Sequence, residues 1–73
     1  MEEFDTKVFA QRFMALRKSK GLTHNVLAVE LKISNAIISD WENGNVGPTA
    51  TNLFKIAKYF GVTSDYLIGL SDF

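Results

Sequence analysis

The 73-residue sequence has no cysteine, one proline, one histidine and no excess of either charge. Each shortage removes a class of function. Without cysteine there is no disulfide, no thiolate nucleophile and no common zinc site, and nothing requires an oxidising compartment, so the expected location is cytoplasmic. With His24 as the lone histidine, neither a metal cluster nor a His-based triad can be assembled, and no metal or cofactor is expected. The longest uninterrupted apolar stretch, residues 66–70, is far shorter than the roughly 20 residues that span a bilayer. The acidic start Met1-Glu2-Glu3 is unlike a signal peptide, which opens with positive charge. Gly44-Asn45-Val46-Gly47 is too short for a phosphate-cradling P-loop and lacks its Lys-Ser/Thr, and no G-x-G-x-x-G occurs. Asp40 and Glu42, two apart on a helix, point in different directions and make no general acid and base pair. An enzyme is not expected.

What is present suits one small folded domain over residues 1–73, with its core in about 6–69. The chain is 47% hydrophobic and 22% charged, an ordinary globular composition. Its length leaves no room for a second core. Stability of such a domain is on the order of 4–11 kcal/mol, which leaves little for a strained pocket or a large substrate cavity. The eight cations and eight acids cancel overall, but not along the chain. Glu2, Glu3, Asp5, Asp65 and Asp72 occupy the ends, so residues 6–64 carry eight cations against Glu30, Asp40 and Glu42, a balance of 8 − 3 = +5.

The apolar spacing predicts an all-α fold of five helices. Phe9, Phe13 and Leu16 stand at helical intervals over 6–20, behind Asp5 as N-cap, with Arg17, Lys18 and Lys20 in the last turn and Gly21 as the stop. Thr23 caps a second helix to about 31, with Leu27, Ala28 and Leu31 on one side. Ser34 caps a third to about 43. Two residues between these helices force a tight turn and a steep crossing, the geometry of a helix-turn-helix. Ile33, Ile37 and Ile38 would suit a strand, but period-2 alternation is missing and a single strand would have no partner. Asn43-Gly44-Asn45-Val46-Gly47-Pro48 forms the one long loop. Thr49 caps a fourth helix with Leu53, Ile56, Ala57 and Phe60 on a stripe ending at Gly61. Thr63 opens a short fifth, where Tyr66 and Leu67 close the core before Gly69. Trp41, a lone aromatic among core neighbours, is expected in the packing rather than as a base-stacking platform.

In order along the chain, Leu22-Thr23, Leu27-Ala28, Ile33-Ser34, Ile38, Trp41-Glu42-Asn43-Gly44, Pro48 and the segment 53–67 resemble the phage repressor and Cro helix-turn-helix family, the XRE-like DNA-binding domains. The resemblance covers residues 9–69 and implies a compact lambda-repressor-like fold. It also implies a sequence-specific regulator that acts by occupying an operator, reading double-stranded DNA with the helix at about 34–43 in the major groove. The implied base-reading positions are Asn35, Ala36, Ile37, Ser39 and Asp40. Asn can pair at two points with adenine, an apolar side chain can meet a thymine methyl, and a carboxylate can accept from cytosine N4. Phosphate contacts are implied for Thr23, His24, Asn43 and the backbone around Gly44 and Asn45, with Lys32 adding a cation near the DNA. Arg17 and Glu42 are the implied structural ion pair. A homodimer on a palindromic site is the common arrangement, with the C-terminal helix as its face.

Several positions depart from the family. His24 replaces the usual Gln at the second position of the first motif helix, and Lys32 stands where the turn usually has Gly, a left-handed site that costs a side chain roughly 1 kcal/mol. Asp40 sets an anion toward a polyanion, which repels unless it meets a cytosine. Met14, Val26 and Val29 are apolar where the family is usually polar, and Phe4, Leu70 and Phe73 add apolar surface at the ends. Ile37, about 100° around the helix from Ile38, faces outward and needs a thymine methyl or another protein as partner. The alternative reading is a helix-turn-helix used for protein interaction through Met14, Val26, Val29 and Ile37, with weak or no DNA binding.

Overall fold

The computed structural model describes residues 3–73; Met1 and Glu2 of the acidic start lie outside them. Five helices follow one another: α1 (Thr6–Ser19), α2 (His24–Leu31), α3 (Asn35–Glu42), α4 (Ala50–Phe60) and α5 (Ser64–Ile68). No strand occurs among the described residues, so the isoleucines around the second turn belong to helix and turn. The expected ends hold to within one residue: Lys20 and Asn43 are C-caps rather than helical positions.

Local chemistry explains every start. Asp5, Thr23, Ser34, Thr49 and Thr63 each turn a side-chain oxygen back to accept an orphan backbone N–H of the first turn. The stops share one device. In each case an N–H donates to the carbonyl five residues back: Leu22 to Arg17, Ile33 to Ala28, Asn45 to Asp40, Val62 to Ala57 and Leu70 to Asp65. That bond needs a left-handed residue just before the donor. Gly21, Gly44, Gly61 and Gly69 supply it at four helix ends, and Lys32 at φ 58° supplies it at the end of α2.

The core is aromatic at its centre. Phe9, Phe13, Leu27, Ile38, Trp41, Ile56 and Leu67 are fully enclosed. The Trp41 ring meets Phe13 edge-on at 5.4 Å and Phe9 at 5.9 Å, the quadrupole-favoured geometry for buried rings. Trp41 is therefore packing, as expected. Helix α1 lies against α3 and α5, while α2 lies against α3 and α4. Arg12, which no local pattern singles out, ties α1 to the C-terminal end: its guanidinium donates to the Tyr66 carbonyl and, at 2.6 Å, to that of Ser71, and stacks 4.4 Å from the Tyr66 ring. No described helix is long and apolar enough to cross a membrane.

Candidate nucleic-acid interface

The expected reading face is α3, and its register follows from what the helix buries. Ile38 and Trp41 enter the core, so Asn35, Ala36, Ile37 and Asp40 are turned to solvent. Ile37 is 38% exposed beside a fully buried Ile38, the split expected for neighbours about 100° apart. Ser39 departs from the rest. It is half-buried, on the flank of the helix rather than its crest. Asn35 is exposed but not idle, for its amide donates to the Asn25 side-chain oxygen on α2. Asn25 was not singled out from the sequence; the contact joins residues ten apart across the turn, and only the crossing of α2 and α3 brings them together.

The ion pair read from Arg17 and Glu42 is present as a two-point contact. Arg17 Nε donates to Glu42 Oε2 at 2.6 Å and Nη2 to Oε1 at 3.0 Å. Arg17 Nη1 also donates to the Leu22 carbonyl at 2.8 Å, which fixes the segment entering α2. The side chains are 13% and 4% exposed. Burial alone would push the Glu42 carboxyl up, but hydrogen bonds from Arg17 and His24 and their charges outweigh it and hold it below its ordinary value of 4.5. The same bond to Glu42 raises Arg17 further above its ordinary range.

His24 is the third member. Its Nε2 lies 3.1 Å from Glu42 Oε1, and its side chain is 35% exposed at the N-terminus of α2. The resemblance implied a phosphate contact for this residue; the structure also gives it a protein partner, which spacing along the chain does not disclose. Through this contact α1, α2 and α3 meet at one carboxylate.

The remaining expected positions divide into two groups. Thr23, His24, Asn43, Gly44 and Asn45 belong together, because His24 and Glu42 join the start of α2 to the end of α3. The Thr23 hydroxyl is occupied as a cap, accepting from Val26 N at 3.2 Å. Lys7 of α1 completes this end: it lines a shallow hollow of about 230 Å³ with Gln11, Glu42, Asn43 and Gly44. A Cβ on Gly44 would stand 3.4 Å from Lys7 Cγ. The Thr6 hydroxyl donates to the Gly44 carbonyl at 2.7 Å. Lys7 is a cation that sequence reasoning passed over, since 37 residues separate it from the loop it meets.

Lys32 is not brought to this end. It follows the last residue of the eight-residue helix that Thr23 begins, so the two are separated along the axis by roughly 12 Å at 1.5 Å per residue. Lys32 instead lines an open surface groove of about 470 Å³ with Lys55, Lys58, Phe54 and Tyr59. Phe54 stays outside the core on its wall, 66% exposed. Of the apolar residues read as misplaced, Val29 is 77% exposed, and Val26, Phe4, Leu70 and Phe73 are exposed as well, whereas Met14 is half-buried.

Comparison with known proteins gives the same arrangement a context. The helix-turn-helix family profile matches residues 13–67. The HTH-type transcriptional activator BcrR of Enterococcus faecalis is 40% identical over 60 residues, covering 82% of this chain and 29% of the relative. Repressor protein C2 of Salmonella phage P22 is 30% identical over 64 residues, covering 88% of this chain and 30% of the relative. The chain thus spans less than a third of the length of either. The crystal structure of the P22 c2 repressor with a synthetic operator superposes with a TM-score of 0.79 at 30% identity, covering 84% of this chain and 92% of that one.

Proposed function

We propose, from the premise that this chain belongs to the helix-turn-helix family, that it is a sequence-specific DNA-binding transcriptional regulator acting by operator occupancy. The observation that carries the reading is the division of α3: one face built into the core and the Arg17–Glu42 pair, the other offering Asn35, Ala36, Ile37 and Asp40 at the surface. A helix held that rigidly can present short side chains to base edges in a fixed register. Asn35 suits adenine, Ala36 and Ile37 suit thymine methyls, and Asp40 suits a cytosine amino group, with Ser39 contributing from the flank.

The backbone contacts fall to Thr23, His24, Asn43 and the amides of Gly44 and Asn45, with Lys7 supplying charge. The start of α2 directs unpaired N–H groups and the positive end of its dipole outward, which favours an anion. Two copies related by a two-fold axis read a palindromic site. The apolar residues Phe4, Ile68 and Leu70, which share a hollow at the end of α5, suit the dimer face. Among the relatives are an activator and a repressor. For this chain, action by binding and not by chemistry is proposed, in the cytoplasm where such a regulator meets DNA.

The test is selection from a random duplex library, followed by titration of the best site at two salt concentrations beside a scrambled duplex. An enriched palindrome with half-sites about ten base pairs apart, bound with steep salt dependence, is the expected result. Equal weak binding to both duplexes would overturn the reading and favour a protein partner for the exposed apolar surface.

A further inference from the structure

We propose that the groove between α2 and α4 is a docking site for an acidic segment of a partner protein, one bulky apolar side chain of which seats on Phe54. The groove lies at the far end of α2 from Thr23 and His24, and the proposal does not depend on the operator reading.

Helix α4 explains why an aromatic residue is left outside. Its core stripe is Leu53, Ile56, Ala57 and Phe60, with Ile56 fully enclosed. Phe54 is off that stripe, about 200° around the helix from Ile56, and stays in solvent. A lone exposed phenylalanine on a convex surface is ordinary. In a groove of about 470 Å³, beside Leu31 and Tyr59, it is an anchor point for an apolar group.

Charge selects the occupant. Lys32, Lys55 and Lys58 line the groove against one acid, Glu30, a balance of 3 − 1 = +2. Lys20, at the end of α1, stands 4.9 Å over the Tyr59 ring and adds a fourth cation at this edge. Half of the chain's eight cations thus gather on one side of a molecule whose formal charge is zero. None of the four forms an ion pair among the described residues. Two rest on rings instead, Lys20 on Tyr59 and Lys58 with its Nζ 5.8 Å from the centre of Phe54. A cation settled on a ring face is partly positioned before a partner arrives, which lowers the ordering cost of pairing it.

An acidic peptide satisfies both halves of this surface: its carboxylates meet the ammonium groups, and a leucine or aromatic side chain covers Phe54. A duplex suits it less. Its phosphates would come against Glu30 and leave Phe54 uncovered, whereas a peptide can space its acids away from Glu30 and donate a backbone N–H to it.

The experiment presents the immobilised 73-residue chain with a displayed library of random peptides, then titrates the most enriched peptide in solution. The expected sequences combine several Asp or Glu with Leu, Phe or Trp. The peptide should shift the amide resonances of Lys32, Phe54, Lys55 and Lys58 and leave those of His24, Asp40 and Asn43 in place. The Lys55→Ala, Lys58→Ala double variant and Phe54→Ser, all outside the core, should each weaken the peptide by about tenfold. Both should keep the helix content and the salt slope of DNA binding. No enrichment, enrichment of neutral or basic sequences, or full affinity in either variant would overturn the proposal. Groove resonances that shift when the chain alone is concentrated would give the groove to a second copy. A DNA salt slope lowered by about one or two in the double lysine variant would give it to nucleic acid, and either result overturns the proposal as well. Failure to bind any duplex removes the operator reading alone, since the peptide titration contains no DNA.

Discussion

Asp40 and Glu42 are both carboxylates on α3, two residues apart, in different surroundings. Glu42 is 4% exposed, with its oxygens bound by Arg17 and His24. Asp40 is exposed and makes no side-chain hydrogen bond or ion pair among the described residues. The inner face of the helix is over-determined: Ile38 and Trp41 are enclosed in the core, Trp41 edge-on to Phe9 and Phe13 of α1, and Glu42 is bound from α1 by Arg17 and from α2 by His24. The outer face is exposed and holds only the Asn35–Asn25 bond, so its residues are expected to vary without unfolding the domain. Stability and specificity are thus divided between two sides of eight residues.

The sharpest way to break this division is to remove both acids separately. Glu42→Ala leaves the Arg17 guanidinium enclosed without a counter-charge, and losing one member of a buried pair costs about 3–5 kcal/mol. In a domain whose total is on the order of 4–11 kcal/mol, that removes much of the folded population at 37 °C. Asp40→Ala should stay within about 0.5 kcal/mol of the parent. Urea denaturation followed by Trp41 fluorescence measures both, and similar midpoints for the two variants would abolish the distinction.

Acid does the same experiment by degrees. The Glu42 carboxyl sits below its ordinary 4.5 in the folded protein, so its contribution is fully present above that value and is lost as pH falls through the lower, folded one. Denaturation midpoints should therefore decline on acidification below about pH 5. Asp40→Asn should follow the same decline. Glu42→Gln, starting lower, should show a shallower one. An undiminished acid limb in Glu42→Gln would place the responsible carboxyl elsewhere.

The outer face calls for a different readout. Asn35→Ala and Asp40→Ala should each change the preferred base at one position of the half-site, by about 1–3 kcal/mol of discrimination, with little effect on unfolding. Asp40→Ala should also bind all duplexes somewhat more tightly, because it removes an anion from a surface facing phosphates. Repeating the library selection with each variant is the check. Unchanged preference in both would remove these residues from the reading face.

This division also explains what the sequence makes legible. Helix starts and stops are local chemistry, a capping oxygen or a left-handed residue, and Asp5, Thr23, Ser34, Thr49, Thr63 and the glycines mark them within one position. The core stripe is local periodicity, so Phe9, Phe13, Leu27, Ile38, Trp41, Ile56 and Leu67 can be read from spacing. Contacts between distant segments leave no such mark. Lys7 against Gly44, Asn25 against Asn35 and Arg12 against the carbonyls of Tyr66 and Ser71 arise from packing angles. The Arg17–Glu42 pair is the exception, legible only through the family resemblance. His24 falls between: its place at the start of α2 is readable, its bond to Glu42 is not.

The smallest expected effect is at the turn joining the two motif helices. Four helix ends carry glycine in the left-handed position, while α2 carries Lys32 there at φ 58°. An L-residue pays roughly 1–2 kcal/mol for that conformation, and glycine returns about 0.5–1 kcal/mol of this as extra freedom in the unfolded chain. Lys32→Gly should then stabilise the domain by up to about 1 kcal/mol, a rise of about 4–8 °C in Tm for a chain of this size. The same variant settles which surface the lysine serves. Lys32 lies with Lys55 and Lys58 around the α2–α4 groove, at the far end of α2 from Thr23. Its removal is therefore expected to leave the salt dependence of DNA binding unchanged, whereas a phosphate contact would lower the log–log slope by about one. A stabilised protein with an unchanged slope assigns Lys32 to the groove, and a reduced slope would return it to the DNA-facing surface.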